Sequence, residues 1–303
     1  MCEGCNCSSL RKGRIVDAIT KGRTLVSDGA WGTFLQKKGL KPGECPELWC
    51  VTRANDVLDV AKAYIDAGAD MVETDSFGGT SYKLEHYGLA NRVGEINKAA
   101  AKISRQAAGD KNWVIASVGP TGKMLAMGDV TEQDLYNAFK EQAIALEQGG
   151  ADAVCIETMS AIDEAVQAIK AARENTGLEV ICTFTFEKTE KGGYRTMMGV
   201  TPVDAAKASV EAGAHIIGAN CGNGIDRMIE IVKEMRKASP QTPILVHANA
   251  GLPQNVNGVD VFPDTPEKMG QMVGELVKAG ANIVGGCCGT TPAHISAMKK
   301  AIK

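Results

Sequence analysis

Three cysteines stand out among the ten in this 303-residue chain: Cys221 in GANCGNG, and Cys287 and Cys288 in GGCCGTT. Each follows an apolar run and is flanked by glycine, which is where a strand ends and a site can be built. A catalytic zinc takes three protein ligands and keeps one position open. Thiol coordination also solves a chemical problem. A free thiol has a pKa near ~8.5 and is mostly protonated at neutral pH, whereas a metal ion removes the proton without a general base. An all-sulfur set leaves the bound thiolate electron-rich, which suits alkylation of sulfur better than hydrolysis. The plain alternative is a vicinal pair that merely packs or forms a redox disulfide. Strand alternation weighs against ligation, because adjacent residues point to opposite faces. Gly285, Gly286 and Gly289 relieve that objection by letting the backbone turn.

The remaining cysteines read differently. Cys155 and Cys182 sit inside apolar runs and are expected to fill the core. Cys45 and Cys50 flank the segment CPELWC and carry no assignment. Cys2, Cys5 and Cys7 form C-x2-C-x-C, one ligand short of a closed zinc site unless Cys45 or Cys50 joins; an unliganded tail is the simpler reading. The number of cysteines, in a chain without a secretory leader, favours a reducing cytoplasm over structural disulfides.

Elements must bring the three sulfurs together. Eight apolar runs read as strands: Thr24–Asp28, Asp70–Thr74, Trp113–Val118, Asp152–Glu157, Glu179–Phe184, His215–Asn220, Pro243–Ala248 and Asn282–Gly286. They are rich in Val and Ile without strict alternation, as in a parallel sheet covered by helices. Amphipathic stretches lie between them, among them Val57–Asp66, Glu132–Gln148, Val203–Glu211 and Pro266–Lys278. One helix-to-strand joint recurs four times as AYIDAGADMV, ALEQGGADAV, SVEAGAHIIG and LVKAGANIVG. In each, a glycine suited to a left-handed cap ends the helix. The expectation is an α/β chain folded as one (βα)8 TIM barrel over residues 23–303, after a lead-in over 1–22 that closes the barrel floor. A doubly wound open sheet would want a GxGxxG fingerprint, which SDGAWGT lacks. The stretch Asn249–Thr265 is too long for a minimal loop and is expected to reach over the site.

Active-site residues of such a barrel lie at the C-terminal strand ends. The sixth and eighth strands carry the three cysteines and are separated by one neighbour, roughly 10 Å at ~4.8 Å per strand. A phosphate site at the last two loops is disfavoured, because those loops hold NAGLP and the cysteine pair. The net charge of −3, a hydrophobic share of 44% and a charged share of 23% give no nucleic-acid or membrane signature. No apolar run approaches the ~20 residues that span a bilayer.

The motifs SDGAWGTFLQ, TDSFGGTSYKLEHYGL, SVGPTG, IETM, GANCGNG, NAGLP and GGCCGTTPAHI occur in this order. With them the chain resembles the homocysteine S-methyltransferase family, which includes the homocysteine-binding module of cobalamin-dependent methionine synthase. The resemblance implies one zinc per chain on Cys221, Cys287 and Cys288, and methyl transfer to a zinc-bound homocysteine thiolate with no separate general base. It implies further that Asp28, Gly29 and Glu157 hold the amino-acid end of homocysteine, and that Asn249 orders the seventh loop. His247 reads as core or support, and His294 as a cap in the last helix. The chain shows no Asp-x-His-x-x-Gly corrinoid motif, so the methyl donor is expected to be a methyl-corrinoid on a separate protein. Small-molecule donors of the S-methylmethionine or betaine type are the alternative, and a thiol- or metal-sensing barrel without turnover is the rival of another class.

Overall fold

The computed structural model describes residues 13–256 and 259–302. Eight parallel strands form one sheet in the order β1-β12-β9-β8-β5-β4-β3-β2. These are β1 (Leu25–Val26), β2 (Met71–Glu73), β3 (Trp113–Val118), β4 (Ala153–Met159), β5 (Glu179–Phe184), β8 (Ile216–Gly224), β9 (Ile244–Asn249) and β12 (Ile283–Gly286). The first strand pairs with the last, Leu25 opposite Ile283. Asp70 joins the remaining edge, its N–H donating to Val26 O at 2.7 Å while its carboxylate accepts from Val26 N–H at 2.9 Å. The result is a (βα)8 barrel in a single domain, with all eight expected strands present.

Helices over Ala54–Asp66, Val93–Ala108, Glu132–Gly149, Ile162–Asn175, Pro202–Ala212, Ile225–Ala238, Pro266–Ala279 and Pro292–Ala301 surround the strands. The four glycines of the repeated joint, Gly68, Gly150, Gly213 and Gly280, all have positive φ, between 99° and 122°. A Cβ there would clash with the following carbonyl, so glycine ends the helix and turns the chain into the next strand.

Strand alternation divides the core. Val26, Val154, Val180, Ile217, Val246 and Val284 face the helices. Leu25, Met71, Ile115, Cys155, Ile181, Ile216, Leu245 and Ile283 fill the barrel interior with Ile15 and Ala18. Those two residues belong to α1 (Ile15–Thr20), which packs against the inward side chains at the lower end of the barrel. Its first N–H groups are met by a buried carboxylate, Glu179, which accepts from Ile15 N–H at 2.5 Å and Val16 N–H at 3.1 Å. Cys155 and Cys182 are fully buried core residues.

Two hairpins were absent from the sequence reading. One pairs β6 (Glu187–Lys188) with β7 (Tyr194–Arg195); the other, inside the long seventh loop, pairs β10 (Gln254–Val256) with β11 (Val259–Val261).

Candidate functional site

The inward parity that is apolar low in the barrel turns polar at the C-terminal strand ends. Glu73, Ser117, Glu157 and His247 are the inward residues next above Met71, Ile115, Cys155 and Leu245. All four line a cavity of ≈ 400 Å³ that also reaches Gly29, Cys221, Cys287 and Cys288.

The three sulfurs arrive by departures from regular strand. In β8 the pairing with β9 shifts register between Asn220 and Gly224, and Cys221 takes φ 56° followed by Gly222 at 70°. A left-handed non-glycine residue costs ~1–3 kcal/mol and persists only where its surroundings enforce it. On the other side β12 stops at Gly286. Cys287 and Cys288 lie in a turn closed by Thr290 N–H to Cys287 O at 3.1 Å, with Gly289 at φ 80°. Alternation therefore does not apply to the pair. Cys287 N–H donates to Ala248 O at 2.7 Å and Ala250 N–H to Cys288 O at 3.0 Å, pinning the turn to the end of β9.

Cys221 and Cys288 Sγ stand 3.8 Å apart, and all three sulfurs lie within 4.8 Å of one another. Zinc–sulfur bonds of ~2.3 Å at tetrahedral angles separate sulfurs by ~3.8 Å, the spacing found between Cys221 and Cys288. Without an ion the trio carries one thiolate and two thiols. Bonds from Cys287 and Cys288 hold the Cys221 thiol down to about 3. The cost falls on the neighbours: bonding to Cys221 pushes Cys288 up to about 12, and raises Cys287 well above an ordinary thiol. Three thiolates cannot coexist there without a positive ion.

The other expected residues divide. Glu157 lines the cavity and accepts from Ser117 Oγ and, at 3.2 Å, from Asn220 Nδ2. Burial raises its carboxyl to about 7, against the opposing bond from Ser117. Gly29 is on the wall, and a Cβ there would stand 2.7 Å from Thr290 Oγ1. Asp28 is fully buried and is not among the cavity-lining residues. It shares the outward parity of Val26, and its carboxylate accepts from Trp31 Nε1 at 2.9 Å, Glu73 N–H at 2.8 Å and Ser27 Oγ at 3.1 Å. Its carboxylate braces Trp31 and Glu73, which both line the cavity. Asn249 is likewise off the wall, and its side chain helps to lower the Cys221 thiol. His294 completes a capping box with Thr291 and bridges to Asp264 O at 2.9 Å.

Sequence reading places Glu73, Ser117 and Asn220 at the C-terminal strand ends but gives them no role. The first two are marked by inward parity with Ile115 and Met71. Asn220 carries no such signal, yet it organises the wall. Its Oδ1 accepts from Thr158 N–H at 2.8 Å and Thr183 Oγ1 at 2.7 Å, and its Nδ2 donates to Thr158 Oγ1 at 2.7 Å. Thr158 has φ 62°, so Asn220 ties a second left-handed residue to the one at Cys221. Cys45 and Cys50 are buried, donating to Glu47 Oε2 at 3.2 Å and Asp75 O at 3.4 Å.

The model of the homocysteine S-methyltransferase family matches residues 25–302. The chain belongs to that family. Its relatives include the methionine synthases of Mycobacterium leprae, 32% identical over 298 residues, and Mycobacterium tuberculosis, 31% identical over 306. Those alignments cover 92% and 95% of this chain but only 24% and 25% of the relatives, so the chain spans about a quarter of their length. Among solved structures, the metallated form of the homocysteine methyltransferase MmuM from Escherichia coli superposes with a TM-score of 0.77 at 22% identity, over 94% of this chain and 98% of that one. Its apo form gives 0.72 at 20% identity, over 93% and 97%. The likeness to MmuM establishes a shared barrel fold.

Proposed function

We propose that this protein transfers a methyl group to the thiol of homocysteine, giving methionine, with one zinc per chain held by Cys221, Cys287 and Cys288. The observation that carries the reading is the sulfur trio at zinc spacing on the wall of a ≈ 400 Å³ cavity. Zinc, when bound there, supplies the charge that keeps an incoming thiol deprotonated at neutral pH. The protein's own groups do the rest. The cavity excludes bulk water and sets the acceptor's orientation, Glu157 offers a carboxylate to its amino end, and the backbone around Gly29 meets its carboxylate. Among the described residues no Lys or Arg lines the cavity, so backbone N–H groups are the available partners for that carboxylate. Family membership and the two methionine synthase relatives support the acceptor.

For the donor we favour a methyl-corrinoid carried by a separate protein, since identity to the methionine synthases exceeds that to MmuM. Glu47 and Asp75, which also line the cavity, favour a second reading in which a cationic small donor of the S-methylmethionine or betaine type enters instead. We assign residues 23–303 to the barrel and 1–22 to a lead-in; Cys2, Cys5 and Cys7 lie outside the described residues. Among the described residues no helix is long and apolar enough to cross a membrane, and we place the protein in a reducing, cytoplasmic setting where free thiols persist.

Metal analysis with a homocysteine methylation assay tests the reading. We expect about one zinc per chain, and loss of both zinc and turnover in Cys288→Ala; a variant that keeps both sinks the proposal. A panel of free methylcobalamin, a methyl-corrinoid protein, S-methylmethionine and betaine identifies the donor. Turnover with only the last two overturns the corrinoid assignment, and binding of zinc and homocysteine without turnover on any donor points to a sensor.

A further inference from the structure

Two irregularities of the barrel wall meet at one side chain. The pairing of β4 with β5 shifts register between Ile156 and Met159, and that of β8 with β9 between Asn220 and Gly224. Such bulges re-aim side chains beside a site. Within them lie Thr158 at φ 62° and Cys221 at φ 56°, the two non-glycine residues of positive φ among the described residues. Strand β5 separates the two bulged strands, and the side chain of Asn220 spans it. Asn220 is fully buried and does not line the cavity. The peptide N–H of Thr158 can only donate, so the amide atom facing it at 2.8 Å is Oδ1. Thr183 Oγ1 of β5 donates to the same oxygen at 2.7 Å. Nδ2 then donates to Thr158 Oγ1 at 2.7 Å and to Glu157 Oε2 at 3.2 Å. All four hydrogen-bonding positions of the amide are filled. The main-chain oxygen of Asn220 also accepts from Thr185 Oγ1 at 2.9 Å.

We propose that Asn220 is a positioning residue for the metal: its bonds hold the Cys221 sulfur beside those of Cys287 and Cys288 before any ion arrives. The inference rests on the reading of the sulfur trio as a zinc site, and it concerns a residue that supplies no ligand. In regular strand Cys221 would share the outward parity of Ile217 and Ala219 and face the helices, away from the other two sulfurs. The left-handed turn at Cys221 prevents this, and such a conformation persists only where its surroundings over-determine it. On its C-terminal side Gly222 imposes little restraint of its own. The next anchor there, Asn223 Nδ2 on Phe186 O at 2.5 Å, lies beyond that glycine. The restraint adjoining Cys221 is therefore Asn220, pinned by side chain and main chain to β4 and to β5 with the segment after it. Its bond to Glu157 keeps the carboxylate side of the site in register with the sulfur side. Without the amide, Cys221 relaxes in the metal-free protein, and an incoming ion must restore the turn at the expense of its own affinity.

The test reads zinc affinity of the full chain by competition with a chromophoric chelator. Beside it, the absorption of the cobalt(II)-loaded protein reports the sulfurs directly, through their charge-transfer bands to the metal. Wild type is compared with Asn220→Ala and with Ile15→Ala, which loosens the barrel floor far from the sulfurs, and denaturant titration gives the stability of each metal-free protein. Asn220→Ala is expected to bind zinc roughly 10–100-fold more weakly, the usual scale for a residue that orients a ligand, and to show altered cobalt bands. Ile15→Ala should lose stability yet keep wild-type affinity and bands. Thr183→Val, which removes one bond to the amide at nearly constant volume, should weaken zinc by a smaller factor, roughly 3–10-fold, and carries the test alone if Asn220→Ala does not fold. Zinc affinity within about 3-fold of wild type and unchanged bands in the variants of Asn220 and Thr183 overturn the inference. So does a loss in Asn220→Ala no larger than that in Ile15→Ala at matched stability. A wild type that binds no zinc tightly overturns the parent reading and this inference with it.

Discussion

At the scale of single residues, the site is built from groups in conformations and ionisation states that folding alone would not choose. Thr158 and Cys221 both hold positive φ, and the side chain of Asn220 is fully occupied in tying the Thr158 segment to β8. Glu157 shows the same tension in its proton affinity. Burial lifts its carboxyl from an ordinary 4.5 to about 7, so the folded protein binds that proton more tightly than the unfolded chain does. Stability contributed by this group therefore falls as pH rises from 4.5 to about 7. Gln does not titrate, so unfolding free energies of Glu157→Gln should move in the variant's favour, relative to wild type, between about pH 5 and about pH 8. Denaturant titrations of both proteins at the two pH values measure this, and a pH-independent difference would falsify it. Much of this scale escapes sequence reading. Cysteine types and glycine flanks announce the sulfur trio, but the direction of Asp28 follows from parity counted along a two-residue strand, and the bonds of Asn220 join residues about 60 positions apart.

The elements are more legible, because their causes are local. Val- and Ile-rich runs buried on both faces, and a glycine at each repeated joint, locate strands and helix ends directly. The helix Glu132–Gly149 begins with a full capping box, Thr131 Oγ1 accepting from Asp134 N–H at 3.2 Å and Asp134 accepting from Thr131 N–H at 2.9 Å. Thr131→Ala should cost about 1 kcal/mol and lower the melting temperature by roughly 2–4 °C, with turnover unchanged because the cap is not part of the cavity wall. Calorimetric melting beside the methylation assay checks both halves. Lost turnover would mean that the loop before this helix takes part in the reaction. The two loop hairpins were not legible, since their strands of two or three residues are too short to show a period.

At the scale of the molecule, a barrel follows from eight repetitions of one unit, and its two ends have opposite tasks. The lower end is a plug: Ile15 of α1 is fully buried against the interior layer of Leu25, Ile115, Ile181 and Leu245. Ile15→Ala should cost about 2–5 kcal/mol in chemical denaturation while zinc content, on the proposed metal site, stays at wild-type level, because the sulfur trio and the plug are at opposite ends. Zinc lost in step with stability would show that the two ends communicate. The sealed floor has a kinetic meaning as well. With packed side chains beneath the site, everything that enters must come and go through one doorway at the strand ends. Under the proposed methyl transfer, the thiol, whose partners would lie on the cavity wall, would be seated before the methyl donor covers it, and methionine would leave only after the spent donor has moved aside. Traffic under that proposal is last in, first out.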